Sequence, residues 1–493
     1  MMELRADMFE EVKLDDAMQV LRSRKLGFSQ VRLLPKGNKL RPIMNLRRRV
    51  MTRASSSKLG RSINTILGPV HSLLKLEKRI NPSKLGSTMF SVSDIYSRLK
   101  LFKQSLGPEY GKLYFVKADV KAAFDTIPQE AVVNLMKSVP SQSKYTIMKH
   151  AEVKPGERAV VADDKSSSKA IRRWHATALS EKENPDFIIR LEQNLAQNKK
   201  NTVFVGSALR NTHNIGELMH LLRQHVEHNL VKIGKKYYRQ KIGIPQGSVL
   251  SSFLCNYFYA DLEVKHLNFL RSPDCLLLRL IDDFLLITQD QEKAIKFVNA
   301  MHVGFPEYGV AVNPTKTMVN FDMLFDGEPV QKSNHEKGFP YCGTTINCKT
   351  LDITKDRDRD VNIGTLESHA SRTIQNQYLH LERCICFSHG RLRPHTWPKF
   401  SAKGSKLVPC TTWTQRVANQ GSYDHKDAFK IQSHLMFYDT SHNANRTVLN
   451  SLRSTFVETA SKMYAYLRCL GKTQQPSSEM ILRKLLKLIM RLL

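Results

Sequence analysis

Apolar residues along most of this chain fall into short runs of strand length, separated by polar stretches and by a smaller number of segments at helical spacing. The sharpest signal is Leu276-Leu277-Leu278-Arg279-Leu280-Ile281 and Phe284-Leu285-Leu286-Ile287-Thr288, two runs that flank Asp282-Asp283. This pattern predicts strand, two-residue turn, strand, because Asp is tolerated in tight turns. Leu113 to Val120 reads as a buried strand with Asp119 near its end. Val31 to Leu34 and Leu40 to Met44 flank Gly37-Asn38, a pair that supplies positive φ, and predict a hairpin. Pro306 to Thr317 reads as strand, turn, strand with Lys316 at the turn, and Phe339 to Ile353 as a further hairpin.

Helical spacing is clearest in Ile215, Leu218, Leu222, Val226 and Leu230. Further helices are predicted from Gln129 to Val139 behind Pro128, from Val249 to Leu267 behind Ser248 as N-cap, and from Glu292 to His302. Met8, Val12, Met18 and Leu21 make residues 1–28 helix-compatible, and helices return from Ile431, ending in a basic amphipathic segment, Met480 to Leu493. Two regions lack a period. Residues 152–185 are charged and Ser-containing, which predicts loop or partial disorder. Residues 384–428 are basic and aperiodic; their Cys384, Cys386, His389, His395 and Cys410 do not match a closed tetrahedral zinc spacing.

Charge changes the picture. The 493 residues carry 76 Lys and Arg against 45 Asp and Glu, a net +31, which points to a polyanionic partner, most simply nucleic acid. Lys36 to Arg61 holds nine basic residues and no acidic one. No apolar run approaches the roughly 18 residues of a membrane span, and the eight Cys show no disulfide framework, so a reduced intracellular compartment is expected. Two adjacent acids at a hairpin tip repel unless a cation sits between them, and hard divalent cations prefer carboxylate oxygens. Asp119 also needs a partner, but it lies 282 − 119 = 163 residues before Asp282, so convergence must be tertiary. Lys36, Lys39 and Arg41 on a stiff hairpin suit a triphosphate or a nucleic-acid backbone. In Ile244-Pro245-Gln246-Gly247-Ser248, Gly247 allows close backbone approach to a flat ligand.

In this order, the motifs resemble the polymerase core of telomerase reverse transcriptases. Leu34-Pro35-Lys36 with Leu40-Arg41-Pro42-Ile43-Met44-Asn45 is similar to motifs 1 and 2. Tyr114 to Val120 with Ala123-Phe124-Asp125 resembles motif A, and Gly243 to Ser248 motif B′. Leu278 to Leu285 matches motif C, Pro306 to Gly309 with Lys316-Thr317 resembles motif D, and Tyr341-Cys342-Gly343 the primer grip of motif E. The 246 − 119 = 127 residue gap between the motif A acid and Gln246 is long enough for the insertion that marks this family among reverse transcriptases.

The resemblance implies an α+β right-hand polymerase with an antiparallel palm. Residues 1–28 would be a linker from an RNA-binding domain, 29–110 the fingers, 111–365 the palm with an insertion at about 140–235, and 366–493 an incomplete thumb. It implies two Mg²⁺ ions at Asp119, Val120, Asp282 and Asp283, with Asp282 serving both ions and Asp283 secondary or supporting. Lys316 would act on the departing pyrophosphate, Lys36 and Arg41 on the triphosphate, and Gln246 and Gly247 along the nascent base pair. Phe124 would be the sugar gate, standing where RNA-templated RNA polymerases carry an acid. The implied partners are a telomerase RNA template, a single-stranded telomeric DNA primer, deoxynucleoside triphosphates and other holoenzyme proteins, without a membrane, at telomeres in the nucleus. A catalytically impaired nucleic-acid-binding fragment and a retroelement reverse transcriptase are the rival readings.

Overall fold

The computed structural model describes residues 8–36, 39–49, 60–155, 170–180, 186–197, 199, 201–333, 338–356 and 435–468. The aperiodic 384–428 stretch and the segment Met480 to Leu493 lie outside them. The chain divides into two compact units, one built from Met1–Phe90 and Leu113–Lys332, the other from Ser91–Lys112 and Ser333–Leu493.

The core of the first unit is a five-stranded sheet in the order Cys275–Leu280, Asp283–Thr288, Tyr114–Asp119, Met318–Val319, Gln331–Lys332. Its pairs are antiparallel except the last. The middle strands are continuous apolar runs because they are covered: Phe115, Val116, Phe284, Leu285, Leu286 and Ile287 are all buried. The helix Ser251–His266 is apolar nearly all round and correspondingly enclosed, with the Tyr259 ring against Phe284. The helix Gln291–Val303 adds Phe297 to the same cluster, and Asp290 caps it by accepting from Glu292 N and Lys293 N. A second five-stranded sheet runs Phe9–Val12, Lys236–Gln240, Leu230–Ile233, Ser29–Lys36, Lys39–Met44. A third, of three strands, sets Lys144–Lys154 between Ile171–Leu179 and Val203–Asn214.

Four expectations are corrected. Met8 to Val12 is not helical: Phe9–Val12 is a strand held by pairing with Lys236–Gln240, and the helix starts only at Leu14. Within 152–185, Ile171–Leu179 is an ordered strand, because it pairs along the whole of Lys154 to Thr146. The Pro306 to Thr317 stretch forms two 3₁₀ turns, Pro306–Tyr308 and Pro314–Lys316, rather than two strands. Proline at the head of each fixes φ and removes a ladder donor. Finally, the helix after Ser248 begins at Ser251, and Ser248 Oγ accepts from Leu250 N instead of capping Val249.

Arg279 anchors the central hairpin from inside. Its guanidinium is fully buried and donates to Glu263 Oε1 at 2.5 Å, Thr88 Oγ1 at 2.5 Å, and both the side chain and backbone of Asn256. Glu263 also accepts from Ser87 N and Ser87 Oγ. A buried pair satisfied this fully is costly to break, since the abandoned carboxylate keeps its desolvation penalty. Arg279→Ala is expected to destabilise the first unit by about 3–5 kcal/mol in denaturant unfolding; a loss below about 1 kcal/mol would mean that Glu263 finds water or another partner.

In the second unit, the helix Asp94–Leu106 meets the 3₁₀ turn Leu435–Phe437 region through charge. Lys100 Nζ donates to Asp439 Oδ2 at 2.8 Å and to Ser441 Oγ at 2.8 Å, and Tyr96 donates to the same carboxylate. The strands Phe339–Tyr341, Thr344–Ile346 and Ile353–Lys355 form its sheet, and Asn443 Oδ1 accepts from Ile353 N. The helix Asn445–Arg468 follows. The hydrogen bond from Lys100, then those from Tyr96 and Ser441, hold the Asp439 carboxyl well below the usual carboxylate range. A depressed carboxyl stabilises the fold above its unfolded pKa and withdraws that support as pH falls through the folded one. Wild type is therefore expected to lose melting temperature more steeply than Asp439→Asn from about pH 5 to about pH 3; parallel curves would show that the contact contributes nothing.

Candidate functional site

The first unit's sheet brings together acids that are far apart in sequence. Asp283 opens its strand directly opposite Asp119, and Val120 N donates to Asp282 O at 3.1 Å. The turn itself is Ile281-Asp282, since Leu280 pairs with Asp283. The predicted Asp282-Asp283 turn is thus shifted by one residue. Ile281 takes φ +61°, an unfavourable conformation for a β-branched residue, and its carbonyl accepts from buried Arg279 at 3.3 Å. The shift turns Asp283 into a strand residue facing Asp119, leaving Asp282 at the tip.

Like charges define the electrostatics. Burial pushes the Asp283 carboxyl up to about 6, and its hydrogen bond with Asp119 and the charges of Asp119 and Asp282 act in the same direction, against Lys117. Lys316, closing the Pro314–Lys316 turn, donates to Asp119 Oδ2 at 2.6 Å. That turn is fastened to the acid strand by Asn313 N to Asp119 O and by Lys121 N to Ala311 O. Among the described residues, no group of three or more His, Cys, Asp or Glu is arranged to hold a metal ion, and the cation against Asp119 is the Lys316 ammonium. The donors nevertheless fit a hard divalent cation. They are oxygen-only and acidic, and Asp283 carries the raised pKa that a nearby cation would relieve.

The Pro-Gln-Gly loop closes the same region. Ile244 N donates to Phe124 O at 2.7 Å and Met44 N to Gln246 O at 2.9 Å. Gly243 and Gly247 both have positive φ, and a Cβ at either would sit 2.5 Å from a backbone oxygen, of Phe124 and of Met44 respectively. Gln246 Nε2 donates to Asp125 Oδ1 at 2.7 Å. The Ile244–Phe124 and Gln246–Asp125 bonds thus tie the loop to the segment that carries Phe124. Lys36 and Arg41 lie on the paired strands Ser29–Lys36 and Lys39–Met44, opposite Lys39 and Leu34; their side chains and the Gly37-Asn38 turn lie outside the described residues. Tyr341, Cys342 and Gly343 belong to the second unit. There, Cys342 at φ +49° and Gly343 at φ +82° form a two-residue turn between the paired Tyr341 and Thr344, and Tyr341 is buried.

Sequence reasoning missed Arg279, Asn64 and His225 and gave Asp125 no role. Asn64 Nδ2 donates to Gly247 O at 3.1 Å while its Oδ1 accepts from Val249 N at 3.1 Å. His225 shares a 2.8 Å hydrogen bond with Ser248 Oγ. Only the Pro-Gln-Gly motif itself hinted that such supports were needed.

A family model described as reverse transcriptase (RNA-dependent DNA polymerase) matches residues 186–346. With the mixed helices and antiparallel sheets, it makes the class that of the α+β right-hand polymerases. Asp119 and Phe124 precede the matched residues; strand pairing brings Asp119 to them. The chain is a relative of the telomerase reverse transcriptases. It is 32% identical over 377 residues to the mouse (Mus musculus) telomerase reverse transcriptase, covering 72% of this chain and 33% of that protein. It is 33% identical over 338 residues to the rat (Rattus norvegicus) protein, covering 66% and 29%. The chain thus spans about a third of the length of these curated relatives. A solved structure of Candida tropicalis telomerase with a TWJ fragment of telomeric RNA aligns at TM-score 0.49 and 16% identity, over 100% of this chain and 64% of that one.

Proposed function

We propose that this chain is an RNA-templated DNA polymerase that extends telomeric DNA 3′ ends on a telomerase RNA template. The observation that carries this is the strand register opposing Asp119 to Asp283, with Lys316 on Asp119, in a relative of telomerase reverse transcriptases. Asp119, Val120, Asp282 and Asp283 would hold two Mg²⁺ ions, Asp282 serving both. When bound, such ions neutralise triphosphate charge and activate the primer 3′-hydroxyl.

The chain's own residues supply position and charge, which is most of what phosphoryl transfer asks of a protein. Lys36 and Arg41 bind the triphosphate. Lys316 exchanges Asp119 for the departing pyrophosphate, carrying a positive charge and a transferable proton to it. Gln246 and Gly247 lie along the nascent base pair, and the Phe124 ring excludes a ribose 2′-hydroxyl. Tyr341, Cys342 and Gly343 grip the primer. We assign residues 1–28 to a linker, 29–110 to fingers, 111–365 to palm with an insertion at about 140–235, and 366–493 to the thumb. The site of action is the telomeric end in the nucleus.

The rival reading is a nucleic-acid-binding protein unable to synthesise DNA, which the net charge of +31 would serve equally well. Primer extension on an RNA–DNA hybrid with Mg²⁺ and deoxynucleotides separates the two. Extension is expected from wild type and is abolished in Asp119→Ala and Asp282→Ala, with a trace left in Asp283→Ala. Hybrid binding without extension would favour the rival. In the active case, Phe124→Ala is expected to raise ribonucleotide incorporation; an unchanged ratio would remove Phe124 from the gate.

A further inference from the structure

The Gln246-Gly247 turn is held by Asn64 and His225, which lie outside the motifs, and by Asp125, which follows the Phe124 of motif A. Half-buried Asn64, on the short helix Ile63–Ile66, uses both ends of its amide, as donor to Gly247 O and acceptor from Val249 N. A single side chain thereby takes the place of a strand partner on both sides of Ser248. Across the loop, Asp125 Oδ1 takes the Gln246 amide N–H, a charge-assisted bond that fixes how the amide is turned. Asp125 directly follows Phe124, whose carbonyl takes Ile244 N. The loop and the backbone that carries Phe124 are consequently one assembly. From behind, the buried His225 ring holds Ser248 Oγ, and burial pushes that imidazole down to about 3, so it stays neutral.

We propose that Asn64 and Asp125 are positioning residues for the incoming nucleotide, setting the orientation in which Gln246, Gly247 and Phe124 meet its base and sugar. This rests on the polymerase reading given above. Both residues act on the loop backbone and on the Gln246 amide, so their influence should fall on nucleotide binding and sugar choice more than on the chemical step.

The test uses the full chain on an RNA–DNA hybrid with deoxynucleotides and ribonucleotides, together with hydrogen exchange of the 243–250 backbone. Asn64→Ala and Asp125→Ala are expected to raise the apparent KM for deoxynucleotide about tenfold, with a smaller change in kcat, and to shift the deoxy-to-ribo ratio. Asp125→Asn, which keeps an oxygen acceptor for Gln246, should recover most of the loss. Asp125→Ala combined with Gln246→Ala should be little worse than either alone, as expected of one shared interaction. In Asn64→Ala, the Val249 amide should exchange faster, with the unit's core amides unchanged. The proposal is overturned by an unmoved KM and sugar ratio, by additive double-variant losses, or by kcat falling in step with melting temperature alone. If wild type extends nothing, the polymerase reading fails on its own; unchanged exchange at 243–250 in Asn64→Ala would then still overturn the positioning geometry.

Discussion

Two carboxylates, Asp119 and Asp283, face each other across neighbouring buried strands, and much of the first unit exists to make that tolerable. Like charges this close favour keeping one group protonated, as the raised Asp283 pKa records, or placing a cation against them. The chain supplies a movable cation in Lys316, on a 3₁₀ turn tied to the acid strand rather than on the strand itself. The rest of the hairpin is fixed more rigidly. Buried Arg279 spends its donors on Glu263, Thr88, Asn256 and the strained Ile281 carbonyl. One side of the site is thus braced by a fully paired interior ion pair and the other by a half-exposed ammonium. That division suits a centre whose charge must change while its geometry does not.

The Pro-Gln-Gly loop follows the same logic with neutral groups. Two glycines let backbone oxygens of Phe124 and Met44 approach to distances that no Cβ permits. The loop then gains its rigidity from distant polar side chains as well as from the buried Ile244. The result connects the hairpin that carries Lys36 and Arg41, through Met44, to the residues beside Asp119.

The strands and their catalytic candidates were legible because buried strands write long apolar runs, and an acid within such a run needs a reason. The hairpin turn was displaced by one residue because nothing in the sequence announces that Ile281 will accept a positive φ. Pro306 to Thr317 carries a strand, turn, strand pattern, whereas the missing donors of Pro306 and Pro314 favour 3₁₀ turns. Phe9–Val12 and Ile171–Leu179 acquire strand form from partners 225 or more and 17 to 33 residues away, information that a local period does not contain. Asn64, Asp125 and His225 are ordinary polar residues in sequence; only the partners brought by the fold distinguish them. The family resemblance brought Lys316 to the site for the pyrophosphate; its pairing with Asp119 is shown by the structure alone.

In the proposed mechanism Asp119, Asp282 and Asp283 form one site that a divalent cation and Lys316 share. Titrating Mn²⁺ into the full chain and counting bound ions by electron paramagnetic resonance tests this directly, without requiring catalysis. The account predicts saturable binding that is lost in Asp119→Asn and tightened in Lys316→Ala, because the competing ammonium is gone. Binding indifferent to both substitutions would contradict it.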